Sequence, residues 1–181
     1  MYTLLNPFWI VLCSPLLAAL YNKVGDNLTM PTKFTIGMFL CAAGFWLAYL
    51  PTFFHTPTGM VSAWWLVFIY MFQSIGELMI SGLGLAMVAA LVPQRLTGFI
   101  MGAWFLTSAA SFIIGGWIAT FTAAPEGVTD PLKTLPIYTG TFGKIGIATT
   151  IVAVLMLITI PKLNQMMSGK DKDGEMKLAH V

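Results

Sequence analysis

Polar and apolar positions in this chain fall into long blocks, with no strand-like alternation. Five apolar blocks, at roughly 4–21, 31–50, 63–91, 95–121 and 135–160, are each near the length of about 20 residues that carries a helix across the hydrocarbon of a bilayer. The breaks between them carry turn chemistry. Gly25-Asp26-Asn27, Pro51-Thr52 and Pro57-Thr58-Gly59 predict turns, and Pro93 predicts the end of the third block. A polar loop is expected over Ala123–Pro136, and after Pro161 a hydrophilic stretch through Ser168–Glu175 predicts a disordered tail over 163–181. The expected architecture is an all-α transmembrane bundle at 1–162 followed by that tail.

Composition agrees with a lipid solvent. Charged residues make up 9% of the chain and the mean hydropathy is +0.83, whereas soluble domains carry about 25% charged residues. Orientation follows from the cations, because Lys and Arg concentrate in cytoplasmic loops. Lys23, Lys33, Arg95, Lys162, Lys170, Lys172 and Lys177 fall on one side of the five spans, and the opposite loops hold only Lys133. The amino end is therefore expected outside and the tail in the cytoplasm. The net charge of +2 reflects this topology and gives no reason to expect nucleic acid.

Other features exclude more than they suggest. Cys13 and Cys41 lie within spans with no CxxC spacing, so no metal or redox cofactor is expected. No nucleophile–base pair, metal cluster or phosphate loop points to an enzyme. The first span has neither a basic leader nor a small-residue cleavage site, so it is not read as a signal peptide. It is also short. Asn6 to Tyr21 makes about 22 Å of helix, which predicts a chain cut inside its first helix. Pro15 is a kink candidate there, and Lys144 in the last span is expected to snorkel to the outer surface.

The chemistry concentrates on the third and fourth spans. Glu77 is the one charge in Trp64–Leu91, and a carboxylate at that depth costs about 2.5–3.5 kcal/mol even on lenient insertion scales. Helical spacing aligns Gln73, Ser74, Ser81 and Gly84 with it, a polar stripe that must face protein or water. On the fourth span Trp104 aligns with Thr107, Ser108, Ser111 and Gly115, and two such stripes imply a shared interior with water in it. Each residue has a plainer reading. Glu77 as a neutral acid bonded to Ser81 or a carbonyl would merely hold helices together, and Trp104 would merely fill space. The spacings Gly98-xxx-Gly102 and Ser111-xxx-Gly115-xxx-Ala119 predict close helix contacts.

The run Gln73-Ser-Ile-Gly-Glu77-Leu-Met-Ile-Ser81 and the continuation Gly98-Phe-Ile-Met-Gly102-Ala-Trp104-Phe-Leu-Thr resemble the proton-coupled oligopeptide transporters, and within them the bacterial di- and tripeptide permeases. Leu5-Asn6-Pro7 with Ser14-Pro15 resembles the family's eighth core helix. The resemblance implies core helices eight to twelve, a partial C-terminal bundle of a major-facilitator fold in a bacterial inner membrane. It implies that Glu77 receives the ammonium of a di- or tripeptide, that Asn6 and Ser81 are polar neighbours holding that terminus, and that Trp104 lines the side-chain region. The coupling ion it implies is the proton, with no other cofactor. The family's first-helix Glu-x-x-Glu-Arg-Phe motif, its cations for the peptide carboxylate and its whole amino-terminal bundle are absent from this sequence. Transport is therefore expected only with that missing bundle as partner. The alternative is a stand-alone membrane assembly protein that moves no solute.

Overall fold

A computed structural model describes residues 4–24, 28–123 and 130–178, with side chains described for 4–23, 28–85, 92–123 and 130–165. It holds five helices: α1 (Leu5–Val24), α2 (Met30–Tyr49), α3 (Trp64–Leu91), α4 (Gln94–Thr120) and α5 (Pro131–Leu178). All five contain a stretch long and apolar enough to cross a membrane, and the fold is the expected all-α transmembrane bundle. The turn expected at Gly25-Asp26-Asn27 lies outside the described residues. The one expected at Pro57–Gly59 is present, where Gly59 N–H donates to Thr56 O at 2.8 Å and Gly59 takes φ +76°. A single 3₁₀ turn, Leu50–Thr52, closes α2.

Both ends of α5 depart from expectation. The polar loop expected to reach Pro136 ends at Asp130, because Asp130 caps a helix that starts at Pro131. Its carboxylate accepts from Leu132 N–H at 3.0 Å, and its carbonyl accepts from Lys133 N–H at 3.1 Å. An acidic cap followed by proline in the first helical position is a strong start signal, since proline's missing donor is one the first turn does not use. At the other end, the tail expected to be disordered from 163 is helical as far as Leu178. A helix already nucleated gains one hydrogen bond per residue added, and Lys, Glu, Gln, Met and Leu in 163–178 favour it against the opposing Gly169 and Gly174. Neither Pro15 in α1 nor Pro161 in α5 interrupts its helix.

The core is a seam between α2 and α3 in which glycine backbones meet the side chains of Cys41 and Met79. A Cβ at Gly76 would stand 2.5 Å from Cys41 Sγ and 2.9 Å from Gly37 O, and one at Gly37 would stand 2.7 Å from Met79 Cβ. Small residues let two helix backbones approach closely, which replaces the hydrophobic driving force that lipid cannot supply. On the other side of α2, Trp46 Nε1–H donates to Thr150 Oγ1 of α5 at 3.1 Å, and the Tyr49 ring lies against Gly143. α1 leans on α3. α4 has no buried residue and touches α3 at only a few points. The close contacts expected at Gly98, Gly102 and Gly115 are not made, since a Cβ at any of them meets nothing within 4 Å. The close-packing glycines are instead those of α2 and α3, with Gly143 of α5 under the Tyr49 ring.

Candidate functional site

Asn6 begins the second residue of α1, and Glu77 lies midway along α3. Although 71 positions apart, they meet: Asn6 Nδ2–H donates to Glu77 Oε2 at 3.0 Å. The contact is fixed by a second link, in which the Ser74 hydroxyl donates to Asn6 O at 3.4 Å. Ser74 is fully buried, at 0% exposure, so it pins the start of α1 to α3 just where the carboxylate projects. Glu77 itself is exposed on the open side of the bundle. Ser81 stands one turn further along α3 on the same face, also exposed.

The pair is chemically suited to a cation. One carboxylate oxygen is already held by an amide donor, which fixes its direction and leaves the other free to accept. Asn6 Oδ1, buried, has no partner among the described residues. A buried acceptor left unpaired costs about 1–3 kcal/mol, so turning the amide toward an incoming donor recovers free energy. Two oxygen acceptors side by side on an apolar wall match an ammonium group, which has three donors and no acceptor.

Trp104 reaches the same face from α4. Its indole edge lies against Gly84, two turns beyond Glu77 on α3, and beside the ring of Phe34 from α2. The structure thus brings Asn6 onto Glu77, and Trp104 onto the end of the stripe that Glu77 and Ser81 share. Gln73 is turned elsewhere: its Cγ lies 3.1 Å from where a Cβ on Gly44 would stand, so it packs on α2. The stripe on α4 is self-contained. Thr107, Ser108 and Ser111 donate their hydroxyls to carbonyls of their own helix, at 2.9, 3.2 and 2.7 Å. Polar residues there need no water-filled interior to be satisfied.

Sequence spacing left two residues unassigned. Ser74 was legible as part of the stripe, but its bond to the α1 backbone was not. Phe34 carries no signal at all, being one apolar residue in an apolar run. Lys144, expected to snorkel, is exposed and lines a cavity of about 620 Å³ between α4 and α5 with Ile118, Phe121 and Thr141. None of Asn6, Glu77, Ser81 or Trp104 lines that cavity. Among the described residues no group of three His, Cys, Asp or Glu side chains could hold a metal ion.

Comparison with known proteins gives the family of the chain. The chain is 62% identical over 172 residues to dipeptide and tripeptide permease B of Photorhabdus asymbiotica, a match covering 93% of this chain and 35% of the relative. The protein of the same name from Aliivibrio fischeri is 62% identical over 177 residues, covering 95% of this chain and 36% of the relative. The chain therefore spans about a third of the length of the curated relatives it matches. Among solved structures, tetrameric PepTSo2 superimposes with a TM-score of 0.74 at 33% identity, covering 91% of this chain and 32% of that one. A structure bearing on substrate recognition in proton dependent oligopeptide transporters does so with a TM-score of 0.73 at 36% identity, covering 91% of this chain and 33% of that one. Residues 1–138 match the POT family, and the chain belongs to it.

Proposed function

We propose that this chain is the C-terminal portion of a permease that carries di- and tripeptides across a bacterial inner membrane together with protons. The observation that carries this reading is the Asn6–Glu77 pair, held by Ser74 and open on one side. In the mechanism, the peptide's ammonium enters beside Glu77 and supplies the donors that its carboxylate and Asn6 Oδ1 accept. Taking a carboxylate out of water is repaid only where a well-placed countercharge meets it. Ser81 adds a hydroxyl one turn away, and Trp104 forms an apolar wall for a substrate side chain. The peptide carboxylate falls to cations on the remainder of the permease. Glu77 takes or releases a proton as the substrate leaves or arrives. No resident cofactor takes part, and nothing is chemically transformed. The amino end of the chain faces the periplasm, and α5 ends in the cytoplasm, by the distribution of Lys and Arg.

The test uses a complete permease in which this sequence replaces the matching segment of the Photorhabdus asymbiotica relative. Glu77→Gln keeps the shape of the side chain but removes the charge. Dipeptide uptake at micromolar concentration is expected to fall at least tenfold, because hydrogen bonds to a charged group contribute about 1.5–3 kcal/mol, and its dependence on external pH is expected to flatten. Wild-type affinity together with a wild-type pH profile would sink the assignment.

A further inference from the structure

Gly84 is buried on α3, on the face that carries Glu77 and Ser81 and about 10 Å further along the helix. A Cβ there would drive into Trp104 Cη2, with Cζ2 at 2.9 Å and Phe34 Cε2 at 3.0 Å. Its φ is not in the left-handed region, so no backbone conformation calls for glycine at this position. The need is for space: two aromatic rings, from α2 and α4, converge on the point where a side chain would begin.

The two rings differ in their freedom to retreat. Phe34 is only 8% exposed and stands one turn before Gly37, whose backbone is pressed against Met79 and Gly76 in the α2–α3 seam. It has nowhere to go. Trp104 is half-buried, on a helix that has no buried residue and few contacts with α3. Its indole is a rigid plate hinged at two torsions, so an atom added at position 84 displaces it as a body. The face toward Ser81 and Glu77, both of them exposed, is open to it.

We infer that Gly84 is a specificity-determining position: by leaving room for the Trp104 indole, it sets how much space the site keeps for a substrate side chain. Gly84 acts through Trp104 and is a positioning residue. Phe34, buried beside it, blocks retreat of the added methyl toward α2. The inference rests on the reading of Trp104 as a wall of the peptide site.

Gly84→Ala in the complete chimeric permease is expected to discriminate by size. Competition against a labelled dipeptide should show Phe-Ala and Ala-Phe weakened about tenfold or more relative to Ala-Ala, the scale on which one methylene counts in an apolar pocket. Trp104→Phe provides the rescue. It shortens the plate, so Gly84→Ala/Trp104→Phe should rank dipeptides as Trp104→Phe does alone, within about threefold. An equal loss for every dipeptide with no rescue overturns the inference, and points to a bend or folding role for the glycine.

Thermal unfolding in detergent separates the two levels of the argument. Non-additive midpoints across the Gly84→Ala and Trp104→Phe cycle are expected, since the two residues touch. Additive midpoints overturn the contact itself. Coupled midpoints with a size ranking unmoved even by Trp104→Ala overturn the inference by a different route, because Trp104 is then no wall of the peptide site. In that case Glu77→Gln still tests the ammonium site independently.

Discussion

At the scale of single residues, the pairing of Asn6 with Glu77 is the feature on which the proposed function turns, and its two partners differed in legibility. Glu77 declares itself in the sequence, because one acid in 28 otherwise uncharged residues demands an explanation. Asn6 does not. Nothing in its spacing relates it to a residue 71 positions away, and only the family resemblance put them together. The structure supplies the reason: Ser74, packed at zero exposure, ties the α1 backbone to α3. Because that tie runs to the Asn6 carbonyl, it survives loss of the side chain. Asn6→Ala should therefore leave the helix in place while removing the amide. In the chimeric permease its expected effect is a rise in KM for dipeptides of roughly 10- to 100-fold, from a charge-assisted bond of about 1.5–3 kcal/mol, with kcat changed much less. A KM within twofold of the unsubstituted protein would mean that the pair is structural and does not meet substrate.

At the scale of helices, length and apolarity were enough to find all five spans, because a bilayer imposes one length on everything that crosses it. They could not say which helices touch. Glycines at helical spacing occur on α2, α3, α4 and α5 alike, yet those of α4 meet nothing in this chain, while Gly37 and Gly76 carry the central seam. The difference lies in the neighbour, and spacing within one helix does not record its neighbour. Gly76→Ala and Gly146→Ala make a matched pair for this point. At Gly76 the new methyl meets Cys41 Sγ at 2.5 Å, Gly37 O at 2.9 Å and Cys41 N at 3.0 Å, two of which are backbone and cannot swing aside. Overpacking of this kind costs about 1–3 kcal/mol, so a lowered unfolding midpoint and a smaller monodisperse fraction in detergent are expected. At Gly146 the nearest atom is 3.5 Å away, an ordinary contact, and alanine is the better helix former by about 1 kcal/mol. Its midpoint should stay level or rise. The reverse order would mean that the seam between α2 and α3 is not the close contact described.

At the scale of the whole molecule, the chain spans about a third of the length of the relatives it matches. α4 turns Phe105, Leu106, Phe112 and Ile113 outward, all more than 60% exposed, and its small residues at 98, 102 and 115 stand open. Lipid can cover the large side chains but gains nothing from the small ones, which suit another helix. Glu77 likewise faces out of the bundle. In the transporter proposed above, alternating access would rock one bundle against another around a midplane site. The proposed site points the same way, since a site for a zwitterion needs both signs of charge and Glu77 supplies one. The expectation is that this chain expressed alone in a peptide-uptake-deficient bacterium inserts in the membrane and gives no dipeptide uptake. Co-expressed as a separate polypeptide with the remaining two thirds of the Photorhabdus asymbiotica permease, it should restore uptake that depends on Glu77. Uptake by this chain alone would overturn the half-site reading, because the ammonium site described would then have to work without a partner for the peptide's other end. Co-purification of the two pieces without Glu77-dependent uptake would leave α4 as a docking face and return the chain to the class of membrane assembly proteins.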